Sequence, residues 1–266
     1  MLLQGRRILV TGVLTPASLP FAAARQAQQD GADVVLTSFG RAMRLTERSA
    51  ARLPQKPTIL ELDVTRDQDF AGLAAAFEER NWQLDGIVHG VAFAAAEALG
   101  GAFLTTSWDA AATALRISAF SLKQLAVAMQ PLFPEQGGSV VTLDFDAGLA
   151  WPGYDWMGVS KAALESVVRY LAHYLGVRRI RVNAVSAGPV YTTSAKGIPG
   201  FPSFPEIFDR SAPLGWDARN SDPVGKAVVA LLSDYFPATT GEIVHVDGGY
   251  HAVGASIDPV DTDPAA

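Results

Sequence analysis

Short runs of aliphatic residues alternate along the chain with longer, alanine-rich segments in which apolar and polar positions mix. The short runs at 87–88 and 140–141 are continuously apolar, which is typical of strands covered on both faces. The short runs predict seven strands, at 7–11, 33–38, 58–63, 86–91, 139–145, 180–186 and 242–246. The longer segments predict six helices, at 21–30, 45–53, 70–79, 108–129, 161–174 and 223–235. This alternation indicates βαβ units and a mostly parallel sheet.

These elements predict an α/β fold: a single Rossmann-type, doubly wound domain with a seven-stranded parallel sheet flanked by helices. We assign residues 1–254 to this domain, because no linker, repeat or low-complexity segment divides the chain. Residues 192–213 interleave glycine, proline and phenylalanine before the last helix, which favours a substrate lid over a filler loop. Residues 255–266, rich in Asp and Pro, predict a flexible C-terminal tail.

Composition and charge narrow the classes of function. The chain of 266 residues is 49% hydrophobic and carries a net charge of −6, which argues against nucleic acid or an anionic membrane as the main partner. It has no cysteine, which excludes disulfides, thiolate zinc sites, iron–sulfur clusters and a cysteine nucleophile. The apolar run at 8–13 is too short for the apolar segment of a secretory signal, so we expect a cytoplasmic protein without a membrane span.

The turn after the first strand has the geometry of a dinucleotide site with an altered fingerprint. Gly-x-Gly-x-x-Gly is absent, but Gly12 supplies a tight turn, and Ser18 stands where a helix begins. The Ser18 hydroxyl either caps that helix or binds a phosphate oxygen. Pro20 removes one backbone N–H that a phosphate could have used. These residues alone leave the choice between a cofactor turn and a plain strand-turn-helix open.

The ends of the second and third strands leave the choice of cofactor open. The second strand ends without the acidic residue that binds the ribose 2′-hydroxyl of NAD. Arg41, which follows that end, either meets a 2′-phosphate or is solvated. Asp63, after the third strand, either accepts a hydrogen bond from adenine or caps the next helix.

Tyr154 and Lys161 are the most informative pair of polar residues. They lie seven residues apart, so at about 100° per residue a helix brings them to within roughly 20° of one face. A neighbouring ammonium favours the phenolate and strengthens the phenol as a hydrogen-bond donor. The pair can therefore hold a cofactor ribose and polarise a carbonyl group. The alternative is a Lys and a Tyr that merely share an exposed helix face.

With these residues the chain resembles the enoyl-acyl-carrier-protein reductases of the FabI/InhA type, a branch of the short-chain dehydrogenase/reductase superfamily. The resemblance extends from the Ile8-to-Gly12 segment to the Val-Asp-Gly-Gly motif at 246–249. Its most specific element is Tyr-x6-Lys, formed by Tyr154 and Lys161. Most short-chain dehydrogenases instead have Tyr-x3-Lys, with a Ser thirteen residues before the Tyr. In this chain the position thirteen residues before Tyr154 is Val141, and Met157 lies inside the Tyr-x6-Lys spacing. Phe145, nine residues before Tyr154, matches the aromatic residue that this branch places beside the nicotinamide.

The resemblance implies a role for each candidate site residue. It implies three catalytic residues: Phe145, Tyr154 and Lys161. It implies a cofactor site made by Gly12, Ser18, Leu19, Phe39, Asp63, Val64, Ala92, Lys161, Gly188, Pro189, Val190 and Thr192. It implies a substrate site made by Phe93, Tyr154 and Met157, with the 192–213 segment around the acyl chain. No residue is implied as a metal ligand.

The activity that the resemblance implies is the reduction of trans-2-enoyl thioesters on acyl carrier protein by NADH in type II fatty acid synthesis, with NADPH left open. It also implies a homotetramer, with contacts near 244–249. Ala92 stands where the family usually has glycine, and the 192–213 segment is shorter than in relatives specialised for very long chains, which indicates medium to long acyl chains. Two alternatives to this activity therefore stay open. One is a pathway-specific reductase that acts on another alkene or carbonyl substrate, and the other is a non-catalytic scaffold that binds nucleotide. His89, a lone histidine at a strand end, is expected to be structural.

Overall fold

The computed structural model describes residues 1–192, 195–198 and 203–254. Its strands are β1 (Arg7–Val10), β2 (Asp33–Ser38), β3 (Thr58–Glu61), β4 (Gly86–His89), β5 (Gly138–Asp144), β6 (Ile180–Ala187) and β7 (Ile243–Val246). They form one sheet in the order β3-β2-β1-β4-β5-β6-β7, and every neighbouring pair is parallel. The predicted seven-stranded parallel sheet of Rossmann type is therefore confirmed.

Within the described ranges, eight α-helices connect and flank these strands. They are α1 (Leu19–Gln29), α2 (Met43–Ala50), α3 (Asp67–Glu78), α4 (Trp108–Leu115), α5 (Ser121–Met129), α6 (Asp155–Leu175), α7 (Phe204–Ser211) and α8 (Asp222–Leu232). A helix long and apolar enough to cross a membrane does not occur in the described part of the chain.

The sheet is buried on both faces, as its continuous apolar strands predict. In β1, the side chains of Ile8 and Val10 join a core cluster with residues of α1 and α8. Leu9, which points to the opposite face, joins a second cluster with residues of α3, α5 and α6. The two helical layers thus hold the strands rigidly, and the loops at their carboxyl ends are free to form a site.

Helix α6 begins earlier than the sequence predicts. The predicted start at 161 is wrong by six residues, because α6 begins at Asp155. The Asp155 carboxylate accepts hydrogen bonds from the backbone N–H groups of Gly101 (2.6 Å) and Ala102 (3.1 Å). This contact with a distant loop anchors the first turn, and a reading of local composition cannot detect it. As a result, Tyr154 lies directly before the helix and Lys161 lies within it.

The single helix predicted at 108–129 is interrupted. A π-helical segment, Arg116–Phe120, separates α4 from α5. Within it, the Ser118 hydroxyl accepts from the N–H of Phe93 (2.9 Å) and donates to its carbonyl (3.0 Å). Such widened turns occur frequently at functional sites. Here the wide turn fixes the loop that follows β4.

The predicted irregular segment 192–213 contains helix α7, which the sequence analysis missed because its glycine and proline content masks the helix. Pro205 stands in the first turn of α7, where its missing N–H costs no intrahelical bond. Residues 193–194 and 199–202 of this segment, and the predicted tail 255–266, lie outside the described residues.

Candidate active site

A cleft of about 530 Å³ opens at the carboxyl ends of the strands, next to the junction of β1 and β4. In doubly wound sheets this junction is where the strand order reverses and where ligands bind. All but one of the predicted site residues line it: Gly12, Ser18, Leu19, Phe39, Asp63, Val64, Ala92, Phe93, Phe145, Tyr154, Lys161, Gly188, Pro189, Val190 and Thr192. Met157 is the exception, since it is buried in the first turn of α6 and does not line the cleft.

The turn after β1 requires glycine. Gly12 has φ +84°, and a Cβ there would lie 2.2 Å from the carbonyl oxygen of Gly90. Ser18 takes the N-cap position of α1, but its hydroxyl donates to the Thr15 carbonyl (2.7 Å) and makes no side-chain cap. The cap interpretation of the Ser18 hydroxyl is therefore wrong. This close approach of two loops at the start of a helix suits the phosphates of a dinucleotide.

Two charged groups lie on the floor of the cleft. Lys161 Nζ donates to the backbone carbonyl of Leu143 (2.9 Å) and lies 3.7 Å from Asp144 Oδ1. Helix α6 brings Lys161 over the end of β5, where Asp144 is the last strand residue. The Asp144 side chain is 0% exposed and that of Lys161 is 7% exposed. Lys161 was predictable from its spacing to Tyr154, but the carboxylate of Asp144 was not.

Burial dominates the protonation of both groups. It lowers the pKa of Lys161, whereas the nearby negative charge of Asp144 acts to raise that pKa. Burial raises the pKa of Asp144 to about 7, against the opposing effect of Lys161. Both shifts follow from the cost of holding a charge away from water. The pair is thus an ion pair in which each charge depends on the other.

Tyr154 stands beside Phe145 at the mouth of the cleft. The two rings meet edge to face with centroids 5.3 Å apart, and Tyr154 is 7% exposed. Burial, followed by the negative charge of Asp144, raises the pKa of Tyr154 above its ordinary value. Tyr154 is therefore a neutral phenol, the form in which its hydroxyl can donate a hydrogen bond.

The opposite end of the cleft lies at the ends of β2 and β3. Phe39 is 44% exposed at the rim, where a flat ligand can stack on it. One oxygen of the Asp63 carboxylate accepts from the N–H and the hydroxyl of Thr65 (2.9 and 2.7 Å), so this residue stabilises the turn before α3 while it lines the cleft. Arg41 is exposed and does not line the cleft. That position favours a solvated Arg41 over a ligand of a 2′-phosphate.

The wall formed after β6 is fixed by a tryptophan that the sequence analysis did not identify. Trp216 Nε1 donates to the Pro189 carbonyl (2.8 Å), and the Gly188 N–H donates to the carbonyl of Val246 (2.9 Å). A Cβ at Gly188 would lie 2.6 Å from the Trp216 ring, so glycine is needed for this close packing. The 188–190 segment is thereby held rigidly along the cleft.

Comparisons with known proteins agree with this geometry. The family model for enoyl-(acyl carrier protein) reductase matches residues 12–251. The chain belongs to the enoyl-acyl-carrier-protein reductase family. It is 41% identical to the enoyl-[acyl-carrier-protein] reductase [NADH] of Mycolicibacterium smegmatis, over 93% of this chain and 97% of the relative. It is 40% identical to the enoyl-[acyl-carrier-protein] reductase [NADH] FabI of Bacillus subtilis (94% and 97%) and 38% identical to that of Aquifex aeolicus (95% and 94%).

Below the cleft, His89 is a buried structural residue. Its Nδ1 and Nε2 lie 2.9 Å from Thr142 Oγ1 and 2.8 Å from Ser121 Oγ. Burial, and then the charge of Lys161, lower the pKa of His89 to about 3, so the ring is neutral. His89 connects β4, β5 and α5 below the cleft and does not line it.

An aromatic cluster packs behind the wall of the cleft that contains Phe145 and Phe204. The Trp151 ring contacts those of Phe145, Phe204, Phe208 and Tyr250, with centroids 5.1 to 5.8 Å apart. Its Nε1 donates to the Asp146 carbonyl (2.8 Å). Because Phe204 and Phe208 belong to α7, this cluster holds α7 against the cleft. The sequence signal was present in the interleaved phenylalanines of 192–213, but their partners Trp151 and Tyr250 are distant in sequence.

Proposed function

We propose that this protein reduces the carbon–carbon double bond of trans-2-enoyl groups carried on acyl carrier protein, with NADH as the reductant. The observation that carries the proposal is the meeting of Phe145, Tyr154 and Lys161 in one cleft at the sheet's reversal point. The relatives that are named NADH-dependent enoyl-acyl-carrier-protein reductases support both the reaction and the cofactor. The reaction belongs to fatty acid synthesis.

The cleft fits a nicotinamide dinucleotide. Gly12 opens a turn that a Cβ would fill, and we assign the pyrophosphate to this turn with Ser18 and Leu19. We assign the adenosine to Phe39, Asp63 and Val64 at the far rim. A nicotinamide would then lie towards Lys161, with its ribose hydroxyls accepting from the ammonium. The remaining cofactor contacts that we assign are Ala92, Gly188, Pro189, Val190 and Thr192.

The chemistry divides between the cofactor and the chain. When bound, NADH would supply the hydride that reduces the β-carbon, and the α-carbon would take up a proton that derives from solvent. Tyr154 donates a hydrogen bond to the thioester oxygen, on which negative charge develops, and the buried surroundings strengthen that bond. Lys161 adds a fixed positive charge nearby and orients the ribose. The Phe145 ring, held by Trp151 and Tyr154, limits the position of the nicotinamide ring.

We assign the substrate to the side of the cleft between Phe93 and Phe204. Phe93 is half exposed, and its backbone is fixed by Ser118. Residues 192–213 would act as the lid over the acyl chain, with α7 as its firm part. Met157 would support Tyr154 from below and not touch the chain, since it does not line the cleft. Residues 1–254 would make up one domain that holds cofactor and substrate.

The experiment measures the loss of absorbance of the reduced nicotinamide that depends on added enoyl thioester. It compares NADH with NADPH as the reductant, and thioesters of acyl carrier protein with those of coenzyme A as the substrate. We expect NADH to be the better cofactor, because Arg41 lies outside the cleft. Turnover of unrelated ketones but not of enoyl thioesters would favour a pathway-specific reductase. Cofactor binding without turnover of any alkene or carbonyl substrate would favour a non-catalytic scaffold.

We also propose that the protein is a homotetramer, and that it works in the cytoplasm. Support for assembly comes from an exposed apolar face on α5 and α6. Val159, Tyr170 and Tyr174 point outwards from α6, and Val127 does so from α5. Exposed side chains of this kind at helical spacing are typical of helix-to-helix subunit contacts. The 244–249 region stays a second predicted contact.

Light scattering after gel filtration tests the assembly. The double substitution Tyr170→Glu with Tyr174→Glu should reduce the particle to a smaller oligomer. Tyr235→Glu is the control, because Tyr235 is equally exposed (71%) but lies beyond α8. An unchanged mass in the double variant would contradict this interface. Cell fractionation tests the location.

A further inference from the structure

Asp144 has an unusual environment for a carboxylate. It ends β5 directly before Phe145, lines the cleft, and its side chain is fully buried. Neither of its oxygens has a hydrogen-bond partner among the described residues. A buried carboxylate without such partners destabilises a fold. Packing alone therefore gives no reason for an acidic residue at this position.

The group that benefits from Asp144 is Lys161. One of the three N–H groups of the ammonium donates to the Leu143 carbonyl, so two N–H groups can donate to a ligand in the cleft. Its buried position lowers its pKa, and the charge of Asp144, 3.7 Å away, is the main opposing influence. Without Asp144, a buried lysine next to a single carbonyl would lose its proton more readily.

The other charged groups around the pair do not replace Asp144. Glu165, one turn further along α6, raises the pKa of Asp144, but its own carboxylate lies 3.6 Å from Arg169. His89, on β4, is neutral, and Tyr154 is a neutral phenol. Asp144 is thus the one negative group that faces Lys161 directly among the described residues.

We propose that Asp144 is a positioning residue for cofactor binding: its carboxylate keeps the Lys161 side chain charged and held at the cleft floor, ready to donate to the cofactor ribose. This inference rests on the proposed function, because it presumes that a nicotinamide dinucleotide occupies the cleft. It adds a residue that acts through Lys161 and touches neither the reacting carbon atoms nor the thioester.

The test is the substitution Asp144→Asn, which keeps the shape and removes the charge. We expect the Kd for NADH, measured by calorimetry, to rise about tenfold at pH 8. We expect the thermal midpoint to fall as well, because removal of one member of a buried ion pair leaves the charge of Lys161 uncompensated. A purely structural role predicts that fall without a change in the Kd of the folded protein for NADH. Asp146→Asn is the matched control: Asp146 lies two residues further on, in the loop after β5 and outside the lining of the cleft, and the Kd of this variant for NADH should stay within twofold of the wild type.

The pH dependence of binding supplies a second readout. Binding that needs the Lys161 ammonium is strongest below the pKa of that group and weakens as the pH rises through it. Because Asp144 raises that pKa, its removal should move the alkaline limb of the binding profile about one to three pH units lower. Asp144→Ser should give the same shift if the asparagine variant does not fold. The inference would be overturned if the variant binds NADH with an unchanged Kd and its binding weakens at the same alkaline pH as that of the wild type.

The two possible failures are distinguishable. Wild-type protein that does not bind NADH would contradict the proposed function itself, and the inference with it. Wild-type protein that binds NADH while Asp144→Asn binds it equally well would overturn only the role of Asp144.

Discussion

The substitution Tyr154→Phe separates catalysis from folding and from cofactor binding. The Tyr154 hydroxyl makes no hydrogen bond to the described part of the chain, so its removal deletes no intramolecular interaction. Only the donor to the thioester oxygen is lost. Loss of one donor to a developing oxyanion in a buried site lowers kcat by about 10²- to 10³-fold, or about 3 to 4 kcal/mol. The free energy of unfolding should change by less than about 0.5 kcal/mol.

The assay is enoyl-dependent oxidation of NADH at saturating substrate, combined with calorimetric binding of NADH and thermal unfolding. Tyr170→Phe, on the exposed face of α6, is the control for the same chemical change. A kcat within threefold of the wild type would refute the role of Tyr154. A tenfold loss of NADH affinity would show that the hydroxyl serves the cofactor instead.

Three further substitutions test other parts of the site. Gly12→Ala should abolish NADH binding and lower the free energy of unfolding by about 2 kcal/mol or more, because its Cβ meets the Gly90 carbonyl at 2.2 Å; calorimetry and denaturant unfolding measure both. Trp151→Ala should shift kcat/KM towards longer acyl chains, because it removes the support behind Phe204 at the cleft wall; an unchanged chain-length profile would contradict this. His89→Gln should reduce the decrease in the free energy of unfolding that occurs as the pH falls. The folded His89 has a pKa of about 3 against 6.5, so the unfolded chain binds the extra proton, and the wild type loses up to about 1.4 kcal/mol per pH unit as the pH falls from 6.5 towards 3. Denaturant unfolding at several pH values checks the difference, which should vanish above pH 7.

The sheet was predictable because local sequence determines it. Buried parallel strands have nearly continuous apolar runs, and the short runs around Ile87 and Val140 are typical of such strands. Helix boundaries were less predictable. The start of α6 depends on the Asp155 carboxylate, whose donors Gly101 and Ala102 are more than fifty residues away in sequence. The π-helical turn at Ser118 likewise depends on the loop around Phe93.

The residues of the site were likewise predictable only where local sequence determines their geometry. Gly12, Tyr154 and Lys161 were predictable, because a turn and a helical spacing express their geometry within a few residues. Asp144 was not, since one acidic residue at the end of an apolar strand resembles any solvated strand end until α6 buries it. The raised pKa of Tyr154 was not predictable either, because spacing along a helix carries no information about access to water.

The most direct test of the central claim is a mass measurement of the acyl chain on acyl carrier protein after incubation of the purified protein with trans-2-enoyl-acyl carrier protein and NADH. The account predicts that the acyl group gains two hydrogen atoms, with one NADH consumed for each saturated chain formed. An acyl group of unchanged mass, under conditions in which the protein binds NADH, would contradict it.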